Sequence, residues 1–123
     1  MKIYYAHHIW KYNTKIEEYE ISIVLKQFNN ATIINPNGLV NEFDSEEKIM
    51  FDCFSAIKES DALVFSDLSG VTGKGVVSEI EYAQSLELRV FRIVANRLVE
   101  ITEKIHYNLL NTGSNRIYAE IVA

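Results

Sequence analysis

A single cysteine, a single proline and a single tryptophan occur in 123 residues. With Cys53 alone, no intrachain disulfide can form, and a reducing compartment, the cytoplasm, is expected. One proline, Pro36, and no internal repeat or low-complexity tract leave nothing to divide the chain by a linker. Positive charge is also scarce: 12 Lys and Arg stand against 17 Asp and Glu, a formal net charge of -5. No basic cluster offsets that acidity, which argues against a nucleic-acid partner. No apolar run approaches the ~18 residues of a membrane span, so no membrane partner is expected. The opening residues Met1 to His8 are too polar for a secretion leader. Of three histidines, His7 and His8 are adjacent and His106 lies in a different segment. That spacing suits no metal cluster, and neither a metal nor a cofactor is expected.

What the chain does have is enough apolar content, 48%, for one ordinary globular core. Lys2–Ala6 reads as a first strand, ending at a loop of residues 7–13. Thr14 with Glu17 three residues on fits a capping box, opening a helix to about Phe28. Its apolar stripe is expected at Ile16, Tyr19 or Glu20, Ile23, Val24 and Phe28. Residues 31–35 form a second strand closed by Pro36, and residues 37–43 a loop. Asp44 or Ser45 caps a second helix whose buried face is Ile49, Cys53, Ala56 and Ile57. A third strand, Ala62–Phe65, leads through a glycine loop to a third helix, and residues 88–94 form a fourth strand. Residues 98–101 are a candidate fifth, before an irregular tail at 108–114 and a strand-like 116–122. Strands alternating with helices require right-handed parallel βαβ units. The expected fold is therefore a single α/β domain over residues 1–123. Its mostly parallel five-stranded sheet is doubly wound and flavodoxin-like (Rossmann-like), with helices on both faces. A ligand crevice should then lie where the ends of strands one and three meet.

The chemistry concentrates around residues 61–83. An apolar run from Ala62 to Phe65 breaks into a loop carrying Gly70, Gly73 and Gly75, where backbone can approach a ligand. A helix is expected from Val76 or Val77, since Val76, Ile80 and Ala83 share a face. Glu79 would then stand in its first turn, kept ionised by the helix dipole. The loop does not match a P-loop, because Gly75 rather than Ser or Thr follows Lys74, nor does it match G-x-G-x-x-G. A backbone cradle for one phosphate remains open. Loops 7–12 and 66–75 face each other across the crevice. The candidate ligand-binding residues are therefore His7, His8, Asp67, Ser69, Gly70, Gly73, Lys74 and Gly75. Both histidines are expected to face solvent or stack on a ligand, and Cys53 to be an inert core thiol.

Ile3-Tyr4-Tyr5-Ala6, Asn35-Pro36, Asp61-Ala62-Leu63-Val64 and Gly75 followed by Glu79-Ile80-x-Tyr82-Ala83 together carry a resemblance. The chain resembles the nucleoside 2-deoxyribosyltransferase family and the related 2'-deoxynucleoside 5'-phosphate N-hydrolases, over roughly residues 2–115. The resemblance implies that Glu79 is the nucleophile, that Tyr4 hydrogen-bonds it, and that the substrate is a small-molecule nucleoside or nucleotide. It also implies that Asn108 reaches the site of a neighbouring subunit, making the protein a homodimer or larger even homo-oligomer. Three positions depart from the family pattern. Gly73 stands where the transferases carry an aspartate and the nucleotide hydrolases a serine. Cys53 stands where an acidic residue is usual, and Glu81 where glycine is usual. The aspartate that handles the base's proton has no obvious counterpart, so a binding module that does not turn its nucleotide over is the alternative.

Overall fold

A computed structural model describes residues 1–39, 41 and 43–105. The strands are β1 (Lys2–Ala6), β2 (Thr32–Ile34), β3 (Ala62–Phe65), β4 (Arg89–Val94) and β5 (Arg97–Ile101). The helices are α1 (Lys15–Gln27), α2 (Glu46–Lys58) and α3 (Lys74–Ser85), with short 3-10 turns at Ile9–Lys11 and Pro36–Gly38. One five-stranded sheet runs in the order β2-β1-β3-β4-β5. Its first four strands are parallel and β5 pairs antiparallel with β4. The α/β class and mostly parallel sheet agree with the sequence reading, but an all-parallel rule fails at the last strand. Only Ala95 and Asn96 separate β4 from β5, with Ala95 at φ 57. A two-residue connection has no room for a crossover helix, so the chain must fold straight back.

β1 and β3 sit in the middle of the sheet, and their residues from Ile3 to Ala6 and Ala62 to Phe65 are buried throughout. Burial on both faces explains why they read as continuous apolar runs rather than alternating ones. Alternation then sorts the side chains into two cores. Tyr4, Ala6, Leu63, Phe65 and Val90 pack with Cys53 and Ile57 of α2 and Val76, Val77, Ile80 and Ala83 of α3. Ile3, Ala62, Val64 and Phe91 pack on the opposite side with Val24 of α1. Burying a side chain such as Ile57 or Ile80 is worth about 1.5–3 kcal/mol.

Two helices differ from expectation. In α1 half of the capping box forms, Thr14 Oγ1 accepting from the Glu17 N–H at 3.2 Å, while the Glu17 carboxylate accepts from the Asn13 N–H at 3.1 Å rather than from Thr14. The buried face, however, is Glu17, Glu20, Ile23 and Val24, while Ile16 and Tyr19 are 55% and 54% exposed. The inward row carries two carboxylates because polar partners wait for them on β1 and its following loop. Helix α3 begins at Lys74 rather than Val76 or Val77. Gly73, extended at φ -70 and ψ 161, takes the cap position, and Val77 N–H closes the first turn onto its carbonyl at 3.0 Å. Glu79 consequently lies in the second turn, and no acidic residue stands in the first.

Candidate functional site

β1 delivers Tyr4, and α3 delivers Glu79, to the same point. The Tyr4 hydroxyl donates to Glu79 Oε2 across a sequence separation of 75 residues. It also lies within hydrogen-bonding reach of the Cys53 thiol on α2. Among the described residues no cation pairs with Glu79. Burial therefore raises its pKa to about 7, against the Tyr4 hydrogen bond, which lowers it. The expectation of a dipole-stabilised, fully ionised first-turn carboxylate is thus corrected. Its position one turn further in exchanges the helix terminus for a desolvated site, and it is proton-sharing near neutrality. Burial, followed by the nearby Glu79 charge, pushes the Tyr4 hydroxyl far up, so it stays a donor. Tyr12 completes the group. Burial first and Glu79 second raise its hydroxyl, and its ring lies 4.9 Å from that of His7. Cys53 is buried and reduced, and burial likewise pushes its thiol up. Tyr4 is thus the hydrogen-bonding neighbour of Glu79, with Tyr12 and Cys53 close enough to feel its charge.

The loop after β1 is held by a second constellation that sequence reasoning missed. Lys11, buried, donates through Nζ to Glu20 Oε2 at 3.0 Å, to Ser66 Oγ at 2.9 Å and to the Asp67 carbonyl at 2.5 Å. All three ammonium protons are used. Tyr5 donates to Glu20 Oε1, which also accepts from Ser66 Oγ at 2.7 Å. Loops 7–12 and 66–75 are thereby clamped together, side by side as expected. Nothing in the local sequence of Lys11 marks it. The signal for Glu20 was its place on the apolar stripe of α1.

His7 is not exposed to solvent, and its ring is engaged within the protein. It is buried, stacked on Tyr5 with ring centroids 3.8 Å apart. Its Nδ1 donates to the Tyr5 carbonyl at 3.0 Å, and Nε2 meets Glu17 Oε2 at 2.7 Å. Burial pushes Glu17 up, but hydrogen bonds from His7, the Asn13 N–H and Asn35 outweigh it and hold the carboxyl low. Asp67 is likewise engaged: its carboxylate accepts from Arg92, with Nε at 3.0 Å, and from Thr72 Oγ1 at 2.5 Å. Asp52 pairs with Lys48 at 2.8 Å. Ser69 (φ 52) and Gly70 (φ 79) form a two-residue turn closed by reciprocal Leu68–Val71 bonds of 2.9 and 3.0 Å. That turn alone accounts for glycine at position 70. Asn108 and His106 lie outside the described residues.

His8, Gly73, Lys74 and Gly75 do gather at the open end of α3. His8 Nδ1 accepts from the Trp10 N–H at 3.1 Å, which leaves Nε2 as the protonated nitrogen, and a Cβ at Gly73 would stand 3.5 Å from His8 Cδ2. Gly75 faces open space, no side chain caps the helix, and Lys74 is exposed. Uncapped N–H groups beside a lysine can receive an anion. Among the described residues no group of three His, Cys, Asp or Glu could hold a metal ion, and no helix is long and apolar enough to cross a membrane. No protein-family model matches the chain, and no curated protein matches it.

Proposed function

We propose that this protein cleaves or transfers at the N-glycosidic bond of a 2'-deoxynucleoside or its 5'-monophosphate, with Glu79 as nucleophile. The observation that carries the reading is the Tyr4–Glu79 pair, its phenol buried and its carboxylate half-buried, with no counter-cation among the described residues. A carboxylate whose pKa is about 7 is half ionised at neutrality and poorly solvated, the condition of a nucleophile rather than of a surface charge. In the reaction, Glu79 Oε attacks the anomeric carbon through an oxocarbenium-like transition state. The C1'–N bond breaks with its electron pair going to the departing base, which takes up a proton. Water or a second base then displaces the ester, restoring the carboxylate, and no cofactor is needed. Tyr4 orients the carboxylate and lowers its pKa. The arrangement is read as flavodoxin-like and doubly wound, with the crevice at the ends of β1 and β3. The cytoplasm is the proposed compartment, and a homodimer or larger even homo-oligomer, with Asn108 lent to a neighbour, the proposed assembly.

A non-catalytic nucleotide-binding module is the second reading, and one observation favours it. Asp52 is paired with Lys48 and Asp67 with Arg92 and Thr72, so neither is free to protonate a leaving base. Incubation with each deoxynucleoside and deoxynucleotide, followed by chromatography for free base, separates the two. Base release that Glu79→Ala abolishes while circular dichroism stays unchanged supports the enzyme. Release at the parent rate by that variant removes Glu79 from the mechanism. Tight binding by calorimetry without release supports the module. Monophosphates are expected to bind more tightly than nucleosides, with Lys74→Ala weakening the difference; equal affinities would refute the phosphate cradle.

A further inference from the structure

Cleavage at an N-glycosidic bond needs a proton for the departing base, and most of the groups near Glu79 that could give one are engaged elsewhere. Asp52 is held by Lys48, and Asp67 by Arg92 and Thr72. His7 is locked between the Tyr5 carbonyl and Glu17. The Tyr4 hydroxyl is committed to Glu79 itself. The His8 ring lies beside Gly73, which precedes Glu79 by six residues, about 9 Å of helix rise.

Tyr12 differs from all of these. It is half-buried and follows the 3-10 turn directly, its N–H closing onto the Ile9 carbonyl at 3.0 Å. That turn is fixed from inside by Lys11, which reaches Ser66 Oγ at 2.9 Å and the Asp67 carbonyl at 2.5 Å. The Tyr12 ring leans on that of His7, centroids 4.9 Å apart and planes 54° apart, and His7 in turn stacks on Tyr5. Backbone and ring are therefore both held in place. The hydroxyl is not. Tyr4 and Tyr5 each give theirs to a glutamate, whereas that of Tyr12 makes no hydrogen bond among the described residues. It nevertheless lies close enough to Glu79 of α3, Cys53 of α2 and Glu17 of α1 to feel their charge. A phenol fixed through its ring, with its donor unused beside a nucleophile, is placed for a ligand.

Granted Glu79 as nucleophile at an N-glycosidic bond, on which this rests, we infer that Tyr12 is the acid of the reaction, its hydroxyl meeting the departing base at the nitrogen that leaves C1'. The timing of the charges suits that role. Burial first and the Glu79 charge second hold the proton on Tyr12 in the resting site. As Glu79 Oε bonds to C1', its charge passes into a neutral ester. The second restraint thus disappears while negative charge builds on the base. The Tyr12 O–H bond breaks toward the base nitrogen, its electron pair staying on the phenolic oxygen. Water then attacks C1' and gives a proton to that phenolate, while the C1'–Oε bond breaks with its pair returning to Glu79. Tyr12 serves as acid and then as base, and both side chains end as they began.

Tyr12→Phe keeps the ring on His7 and removes only the hydroxyl. It is compared with the parent on each 2'-deoxynucleoside or 5'-monophosphate whose base the parent releases. Both are also given the same compound with a better leaving base: a purine methylated at N7, which departs neutral, or a pyrimidine fluorinated at C5, which departs as a weaker base. The variant is expected to lose about 10²–10³-fold in kcat on the ordinary substrates, with that loss at least about tenfold smaller on the activated ones. Each protein serves as its own control, so a change in the folded fraction cancels. Slowing of both classes alike, or of neither, overturns the role of Tyr12 and leaves the reaction standing. Glu79→Ala should lose both classes, since the nucleophile is needed whatever leaves. Release from activated substrates by that variant at the parent rate, or from no substrate by the parent, overturns the underlying reaction and this inference with it.

Discussion

Tyr4 and Tyr5 are consecutive residues of β1, and each sends its hydroxyl to a glutamate carboxylate, one on either face of the sheet. On the α1 face, Glu20 also receives Lys11 and Ser66, so charge and hydrogen-bonding capacity are both met. On the α2–α3 face, Glu79 receives Tyr4 and no cation among the described residues, and burial lifts its pKa to about 7. The same pair of side chains is thus a clamp on one side and a titrating centre on the other. What separates them is the Lys11 ammonium group together with the second hydroxyl, that of Ser66.

Removing that ammonium should produce the largest effect. Lys11→Met leaves Glu20 buried with two hydroxyl donors but no opposite charge, and should cost about 3–5 kcal/mol in urea unfolding. A loss near zero would mean that the clamp is no firmer than the other face. Next comes pH. Glu79's folded pKa is raised to about 7 from 4.5, so the folded protein holds the proton more tightly than the unfolded chain. That contribution is full below about pH 4.5 and is lost as pH rises through about 7. At about 1.4 kcal/mol per pH unit the loss totals about 3 kcal/mol. Glu79→Gln escapes it, so parent and variant midpoints should separate as the pH is raised, the variant becoming the more stable. Parallel curves would show that Glu79 is solvated after all.

The two tyrosines test the contrast from the other partner. Tyr4→Phe should slow base release ~10–100-fold and move the acidic limb of the rate profile upward, because the bond it removes lowers Glu79's pKa. Tyr5→Phe should cost only about 1–2 kcal/mol of stability, Glu20 retaining Lys11 and Ser66. Equal effects of the two on rate would identify Tyr4 as packing. The smallest change concerns Gly75, which faces open space in the first turn of α3. Gly75→Ala should gain about 0.4–1 kcal/mol while weakening monophosphate binding in calorimetry. A gain with binding untouched would show that the ligand does not approach this backbone.

The parallel core was legible because β1 and β3 are buried on both faces and so lose the alternation of a surface strand. The antiparallel return of β5 was not, since Ala95-Asn96 carries little hairpin signature and Ala95 supplies its positive φ against its own preference. At the site, the contact of Tyr4 with Glu79 could be anticipated from the motif, but the charge state of Glu79 could not. It depends on where α3 begins, and Gly73 moves that start by two or three residues. His7 was misread because its partner, Glu17, lies on a helix face that hydrophobic periodicity assigns to apolar residues. Long-range polar pairing of this kind, as also between Lys11 and Ser66, leaves no local trace.

Trp10 stands in the 3-10 turn between a His8 whose ring lies beside Gly73 and a Lys11 anchored in the interior, and it is 75% exposed with its ring 5.1 Å from that of His8. Because the chain has no other tryptophan, its indole emission arises wholly from this loop. The seven tyrosines, Tyr4 and Tyr5 among them in the core, dominate absorbance near 280 nm. Excitation selective for indole therefore reports on the loop after β1, and tyrosine signals report chiefly on other parts of the molecule. The protein carries its own label for following that loop without any chemical modification.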